Sequence, residues 1–132
     1  EEYMQYLWNP PPNWDGGTVT FRTTWTTAAG AATFACVWGL QGVAVADAGS
    51  ADVAFGSFGT VTDSASATAL IRNSDESGLV TIAGTPTNAK RVFFQLARVA
   101  ADAADSLDID AKLMKWDLFY TTVRNGLPVN IS

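Results

Sequence analysis

The chain has 132 residues, 48% of them hydrophobic and 16% charged, with a net charge of -5 and no histidine. That length suits one domain with a core large enough to fold without covalent staples. The acidic balance excludes duplex nucleic acid, which needs clustered Lys and Arg to neutralise phosphates, and an anionic membrane surface for the same reason.

The basic residues are scattered, with Lys90-Arg91 the one adjacent pair. No apolar run is long enough to span a bilayer, so membrane insertion is not expected. The low charge leaves two readings open: a surface partly covered by neighbouring subunits, or a neutral one rich in Thr and Ser. Cys36 is the single cysteine, which rules out an intrachain disulfide. In the run Phe34-Ala35-Cys36-Val37-Trp38 it reads as a small buried hydrophobe. No histidine is present to activate it as a nucleophile.

Taken in order, residues 1–17 read as an irregular, extended N-terminal arm. It carries Tyr3, Met4, Tyr6, Leu7 and Trp8, then Pro10-Pro11-Pro12 and the turn signal Asp15-Gly16. Such an aromatic segment lies across something apolar, either its own core or a neighbouring subunit. From Thr18 to Trp25 the alternation predicts a strand with Val19, Phe21, Thr23 and Trp25 on one face. Thr33 to Val45 reads as one long strand or two joined by a kink. Gly39 and Gly42 within it mark a bulge or a close backbone approach.

Shorter strands are predicted at Phe58 to Thr62, at Ala67 to Asn73 with Leu70 inward, and at Leu79 to Ala83 with Val80 and Ile82 inward. Lys90 to Arg98 is apolar on both faces and so buried, at least in part, on both sides. Leu107, Ile109, Ala111 and Leu113 alternate; Trp116, Leu118 and Tyr120 continue one residue out of phase. That phase change predicts a bulge or bend at Met114-Lys115. No helix longer than two turns is expected. The fold class is therefore all-β: an antiparallel, jelly-roll-like β-sandwich of about eight strands over residues 18–120, followed by a C-terminal tail at 121–132.

Catalytic equipment is sparse. No phosphate-binding or dinucleotide-binding glycine pattern occurs, no pair of carboxylates stands out as glycosidase-like, and an enzyme is not expected. The acidic run with Asp102, Asp105, Asp108 and Asp110 lacks the glycine and terminal glutamate of a calcium loop. It reads as a solvated rim, or as the site of a surface divalent ion; no cofactor is expected. Five tryptophans are many for this length. Trp25 and Trp38 fall within alternating strands and read as core. Trp8 and Trp14 flank the prolines; with Trp116 and Tyr120 they are the candidate subunit or ligand contacts, or else they cover an open edge of the core.

Several stretches together resemble a jelly-roll β-domain of tailed-bacteriophage virion structural proteins. They are Asn13-Trp14-Asp15-Gly16-Gly17-Thr18-Val19-Thr20-Phe21, Val37-Trp38-Gly39, Val80-Thr81-Ile82-Ala83-Gly84-Thr85-Pro86, Val92-Phe93-Phe94-Gln95-Leu96-Ala97-Arg98, Ala104 to Leu113, and Leu118-Phe119-Tyr120. Together they span roughly residues 13–120. The resemblance implies a non-enzymatic module of the virion, fibre-like or on the capsid surface, commonly trimeric. It would contact other virion proteins and a host surface glycan. It implies no active site. Met114-Lys115-Trp116 departs from the pattern, where a small residue is expected at the bend. The alternative function is a carbohydrate-binding module that uses exposed aromatics.

Overall fold

The computed structural model describes residues 3–28, 34–65 and 70–123. They form two antiparallel sheets and no helix. The strands are β1 (Tyr3–Trp8), β2 (Trp14–Thr27), β3 (Ala35–Val45), β4 (Gly59–Ser64), β5 (Arg72–Asn73), β6 (Arg91–Arg98) and β7 (Ala111–Thr122). One sheet has the order β1-β6-β3-β4 and the other β5-β2-β7. Their inner faces share one core, built around Trp14, Phe21, Trp25, Trp38, Leu40, Phe94 and Leu96. Trp25 of the second sheet meets Trp38 of the first with ring centroids 6.0 Å apart, and its indole N–H donates to Asp63 on β4 at 2.8 Å.

The alternation of β2 works as expected: Val19, Phe21, Thr23 and Trp25 are all buried. Val80, Ile82, Val92, Phe94 and Leu96 are buried too. The phase change in β7 is a bulge. Lys115 lies opposite Thr24 and Leu113 opposite Trp25, which leaves Met114 unpaired. Gly42 is a close approach, not a kink. It pairs directly with Phe94, and a Cβ there would come within 2.9 Å of the Phe94 ring.

Four expectations change. Residues 3–8 are not irregular: Tyr3 to Trp8 pair antiparallel with Ala97 to Val92, because the prolines begin only after the strand has ended. The C-terminal boundary also moves, since β7 runs on to Thr122. The segment Leu79 to Ala83 is no regular strand; it makes isolated bridges at Val80 and Ala83. Of the expected strand at 67–73, only Arg72 and Asn73 pair among the described residues, and Leu70 is 55% exposed. Residues 66–69 and 124–132 lie outside the described residues, so most of the expected tail does too.

Strand pairing also bears on the jelly-roll expectation. β1 pairs with β6 in one sheet and β2 with β7 in the other. The chain shares with that expectation an all-β architecture of two antiparallel sheets, with seven strands among the described residues.

One side of the molecule is sealed by backbone. Ser74 and Ser77 lie along β2 as an irregular strand. The Ser74 N–H donates to the Thr23 carbonyl at 2.9 Å and the Ser77 N–H to the Phe21 carbonyl at 2.8 Å. In return the N–H groups of Thr23 and Phe21 donate to the hydroxyls of Ser74 and Ser77, both at 3.0 Å. Val80 then exchanges two hydrogen bonds with Val19 of β2, and three residues later Ala83 bonds to Gly42 and Ala44 of β3. One segment thus pairs with both sheets.

The crossing from β6 to β7 is fixed by one ion pair. Arg98 grips Asp105 with its Nε at 3.0 Å and an Nη at 2.6 Å, and donates to the carbonyls of Leu107 and Ile109. The Asp105 carboxylate also accepts the Val37 N–H at 2.9 Å, and its side chain is 1% exposed. Burial pushes this carboxyl up. The Arg98 hydrogen bonds, the Val37 and Leu107 N–H groups and the Arg98 charge outweigh it and hold the group below the ordinary carboxylate range.

Asp105→Ala leaves Arg98 half-paired and is predicted to cost about 3 kcal/mol in urea unfolding at neutral pH. A carboxyl depressed in the folded state contributes its full stability above its unfolded pKa of about 4, and loses it as pH falls through the folded value. The stability gap between wild type and Asp105→Asn is therefore expected to be widest near neutrality and to close in acid. A gap that widened below pH 4 would contradict this assignment.

Candidate functional site

The side opposite the Ser74 to Ala83 segment has no backbone seal among the described residues. There β1 ends one sheet and β7 ends the other. The two meet only through side chains. The Tyr6 ring stands edge-on to Trp116 at 5.7 Å, and Trp8 packs against Trp14 at 5.1 Å, Tyr120 at 5.3 Å and Phe94 at 5.9 Å. Phe94 in turn meets Trp116 at 6.1 Å. Each such aromatic pair contributes about 1 kcal/mol beyond the area it buries.

The four residues singled out from the sequence, Trp8, Trp14, Trp116 and Tyr120, therefore fall on this one seam. They are not equivalent. Trp14 is 2% exposed. The turn that places it is closed by its N–H donating to the Pro11 carbonyl at 3.0 Å. Trp8 and Trp116 are half-buried, and Tyr120 is 41% exposed. Trp8 and Trp14 meet edge to face at 68°, so they cover the core margin and form no flat platform.

Sequence reasoning missed Tyr6 and Phe94, which complete the aromatic row, and Tyr3 and Met4 beside them. The alternation of Met4, Tyr6 and Trp8 was the available signal. The prolines that follow obscured it, although they leave those six residues free to pair.

Toward the start of β7 the seam opens into a cleft of about 630 Å³. Trp38, Leu96 and Leu113 line it with Tyr3 and Met4, while Arg98, Asp110 and Lys112 supply polar groups. The buried indole N–H of Trp38 has no hydrogen-bond partner. Cys36 lies nearby in the core with its thiol pushed up to about 12 by burial, against the opposing charge of Arg98. At that value it stays protonated and unreactive at neutral pH.

The acidic loop is no ligand cage: Asp105 is taken up by Arg98. Among the described residues no three acidic or cysteine side chains are grouped to hold a metal ion. No helix of the described residues is long and apolar enough to cross a membrane. No known protein family, curated protein or solved structure matches the chain.

If Trp8 bridges the two edge strands, Trp8→Ala should lower stability by about 2 kcal/mol in urea unfolding, less than the 3–5 typical of a fully buried tryptophan. Trp14→Ala is expected to fall in that fully buried range, and Tyr120→Ala to cost under about 1 kcal/mol. Equal costs at positions 8 and 120 would mean that Trp8 does not bridge the seam.

Proposed function

We propose that the chain is a non-enzymatic structural β-module that works by assembly, with the open seam as its contact face. The observation that carries this reading is β1. It is an edge strand with no charged residue, and Tyr3, Met4, Tyr6 and Leu7 on it are all exposed. Soluble proteins ordinarily guard such an edge with Lys, Pro, a bulge or a covering loop. An unguarded apolar edge of this kind suits a chain that meets a partner there. The low overall charge fits the same reading, because it lowers repulsion between copies.

The narrower form of the proposal places the module on a virion surface as a homotrimer, among other virion proteins and in contact with a host surface. That form rests on the sequence resemblance, and the geometry contributes the face through which copies would meet. Three chains of 14.0 kDa give about 42 kDa, the mass expected by light scattering after size exclusion for a closed threefold assembly. Leu7→Lys puts a charge on an exposed position of the edge and should shift the mass to 14.0 kDa without loss of fold. A wild-type monomer at every concentration would sink the assembly reading.

The cleft favours a second reading, a carbohydrate-binding module. Tyr3, Arg98, Asp110 and Lys112 are among its lining residues, a mix of aromatic and polar groups that a sugar ring uses. Titration with a panel of oligosaccharides, followed by tryptophan fluorescence, tests it. A saturable change that Tyr3→Ala abolishes supports this reading, and a flat response across the panel removes it.

A further inference from the structure

The unpaired backbone groups of β1 have a fixed phase, set by the strands behind it. Even-numbered residues of β3 turn their groups away from β6: the Gly42 carbonyl accepts from Gly56 and Ala83, and the Ala44 N–H donates to the Ala83 carbonyl. Odd-numbered residues face β6, as the Val99 N–H does in donating to the Val37 carbonyl at 2.7 Å. In an antiparallel sheet successive residues of an inner strand serve alternate neighbours. Phe93, Gln95 and Ala97 therefore serve β3, opposite Val43, Gln41 and Gly39. Val92, Phe94 and Leu96 serve β1, opposite Trp8, Tyr6 and Met4. Tyr3, Gln5 and Leu7 are left with their N–H and C=O groups pointing at the outer edge, where no other described strand pairs with β1.

Building on the assembly reading above, we propose that this edge pairs with β1 of a second copy, antiparallel and centred on Gln5. A twofold axis at that residue sets Gln5 opposite Gln5, Tyr3 opposite Leu7 and Leu7 opposite Tyr3 of the second copy. All of these fall at hydrogen-bonded positions, where each pair exchanges both N–H···O bonds. Of the registers with that phase, this one alone engages Tyr3, Gln5 and Leu7 together. A slide of either strand carries one of them past the end of β1.

The side chains suit the same axis. Paired residues share a face, so Gln41, Gln95 and Gln5 stand in one row across β3, β6 and β1, on the face away from the core. Within the row the Gln41 Nε2 donates to the Gln95 Oε1 at 2.7 Å. Gln5 ends it at the edge, exposed. A primary amide both donates and accepts, so it can meet its own copy across a twofold axis; a carboxylate or an ammonium there would face its like charge. The pairing carries the row on into the second copy. Beside it the exposed Tyr3 meets the exposed Leu7, next to Phe93, and on the inner face Met4 meets Tyr6. No charged residue stands on β1, so the two strands bring no like charges together. Such a contact is isologous and closes at two copies. It joins two four-stranded sheets into one continuous sheet. The threefold form rests on the resemblance and needs a different contact.

Light scattering of the full chain after size exclusion, over rising concentration, separates the two. Two chains of 14.0 kDa give about 28 kDa, the mass expected for the twofold pair. About 42 kDa would keep the assembly reading and overturn the pairing. A monomer at every concentration would overturn both. The register is tested by Gln5→Cys, which brings two thiols together at the axis, with Cα atoms about 5.5 Å apart and able to bridge. Cys36 is buried and does not compete. Under mild oxidation Gln5→Cys is expected to form a linked dimer at least about tenfold faster than Leu7→Cys, whose thiols this register holds more than about 12 Å apart. Equal rates in the two variants, or no linked dimer from Gln5→Cys, would overturn the proposal.

Discussion

Among the described residues the two sheets are joined by backbone on one side and by side chains alone on the other. Everything distinctive about the molecule follows from that asymmetry. The segment from Ser74 to Ala83 hydrogen-bonds first to β2 and then to β3, using two serine hydroxyls where a regular ladder would use main-chain carbonyls. Backbone pairing of this kind is directional and satisfies the N–H and C=O groups it engages. The other side keeps two edges, β1 and β7, and bridges them with Tyr6, Trp8, Trp116 and Tyr120. Aromatic contacts hold the distance between the layers but do not satisfy edge N–H and C=O groups. The open seam is therefore where pairing with another chain has somewhere to go.

The Arg98 and Asp105 pair supports that seam indirectly. β6 pairs with β1 at one edge, and the chain must leave β6 and cross the molecule to begin β7 at the other. By fixing Leu107 and Ile109 through their carbonyls, Arg98 sets where β7 starts and hence which β7 residues meet β1. Gly42 acts at the other end of the same chain of contacts. It leaves room for the Phe94 ring, which carries both Trp8 and Trp116. The margin of the core is thus positioned from within it.

Much of this was legible in the sequence where alternation was clean. The inward row Val19, Phe21, Thr23 and Trp25 and the break at Met114 follow from period-two patterning against a shared core, whereas β6, expected to be buried on both sides, buries Val92, Phe94 and Leu96 and leaves Phe93 exposed on its other face. Legibility failed where something other than periodicity decided the outcome. β1 was masked because Tyr, Met, Leu and Trp stand on both its faces, so no polar face marked the strand. Ser74 and Ser77 lie in a polar stretch with no alternation, yet their hydroxyls let an irregular segment pair along β2. Leu70 read as inward, but nothing in a local pattern reports which layer the chain is about to join. The convergence of Trp8, Trp14, Trp116 and Tyr120 depends on strand order, which pairs β1 with β6 and sets β7 across from them.

The proposed role of β1 is that of the edge through which this module meets a partner copy. Backbone amide exchange, measured residue by residue as protein concentration is raised, tests it most directly. The account predicts that the Tyr3 to Trp8 amides not already bonded to β6 become protected with concentration, while those of β3 stay unchanged. Protection that is the same at every concentration, with β1 no slower than an exposed loop, would contradict it.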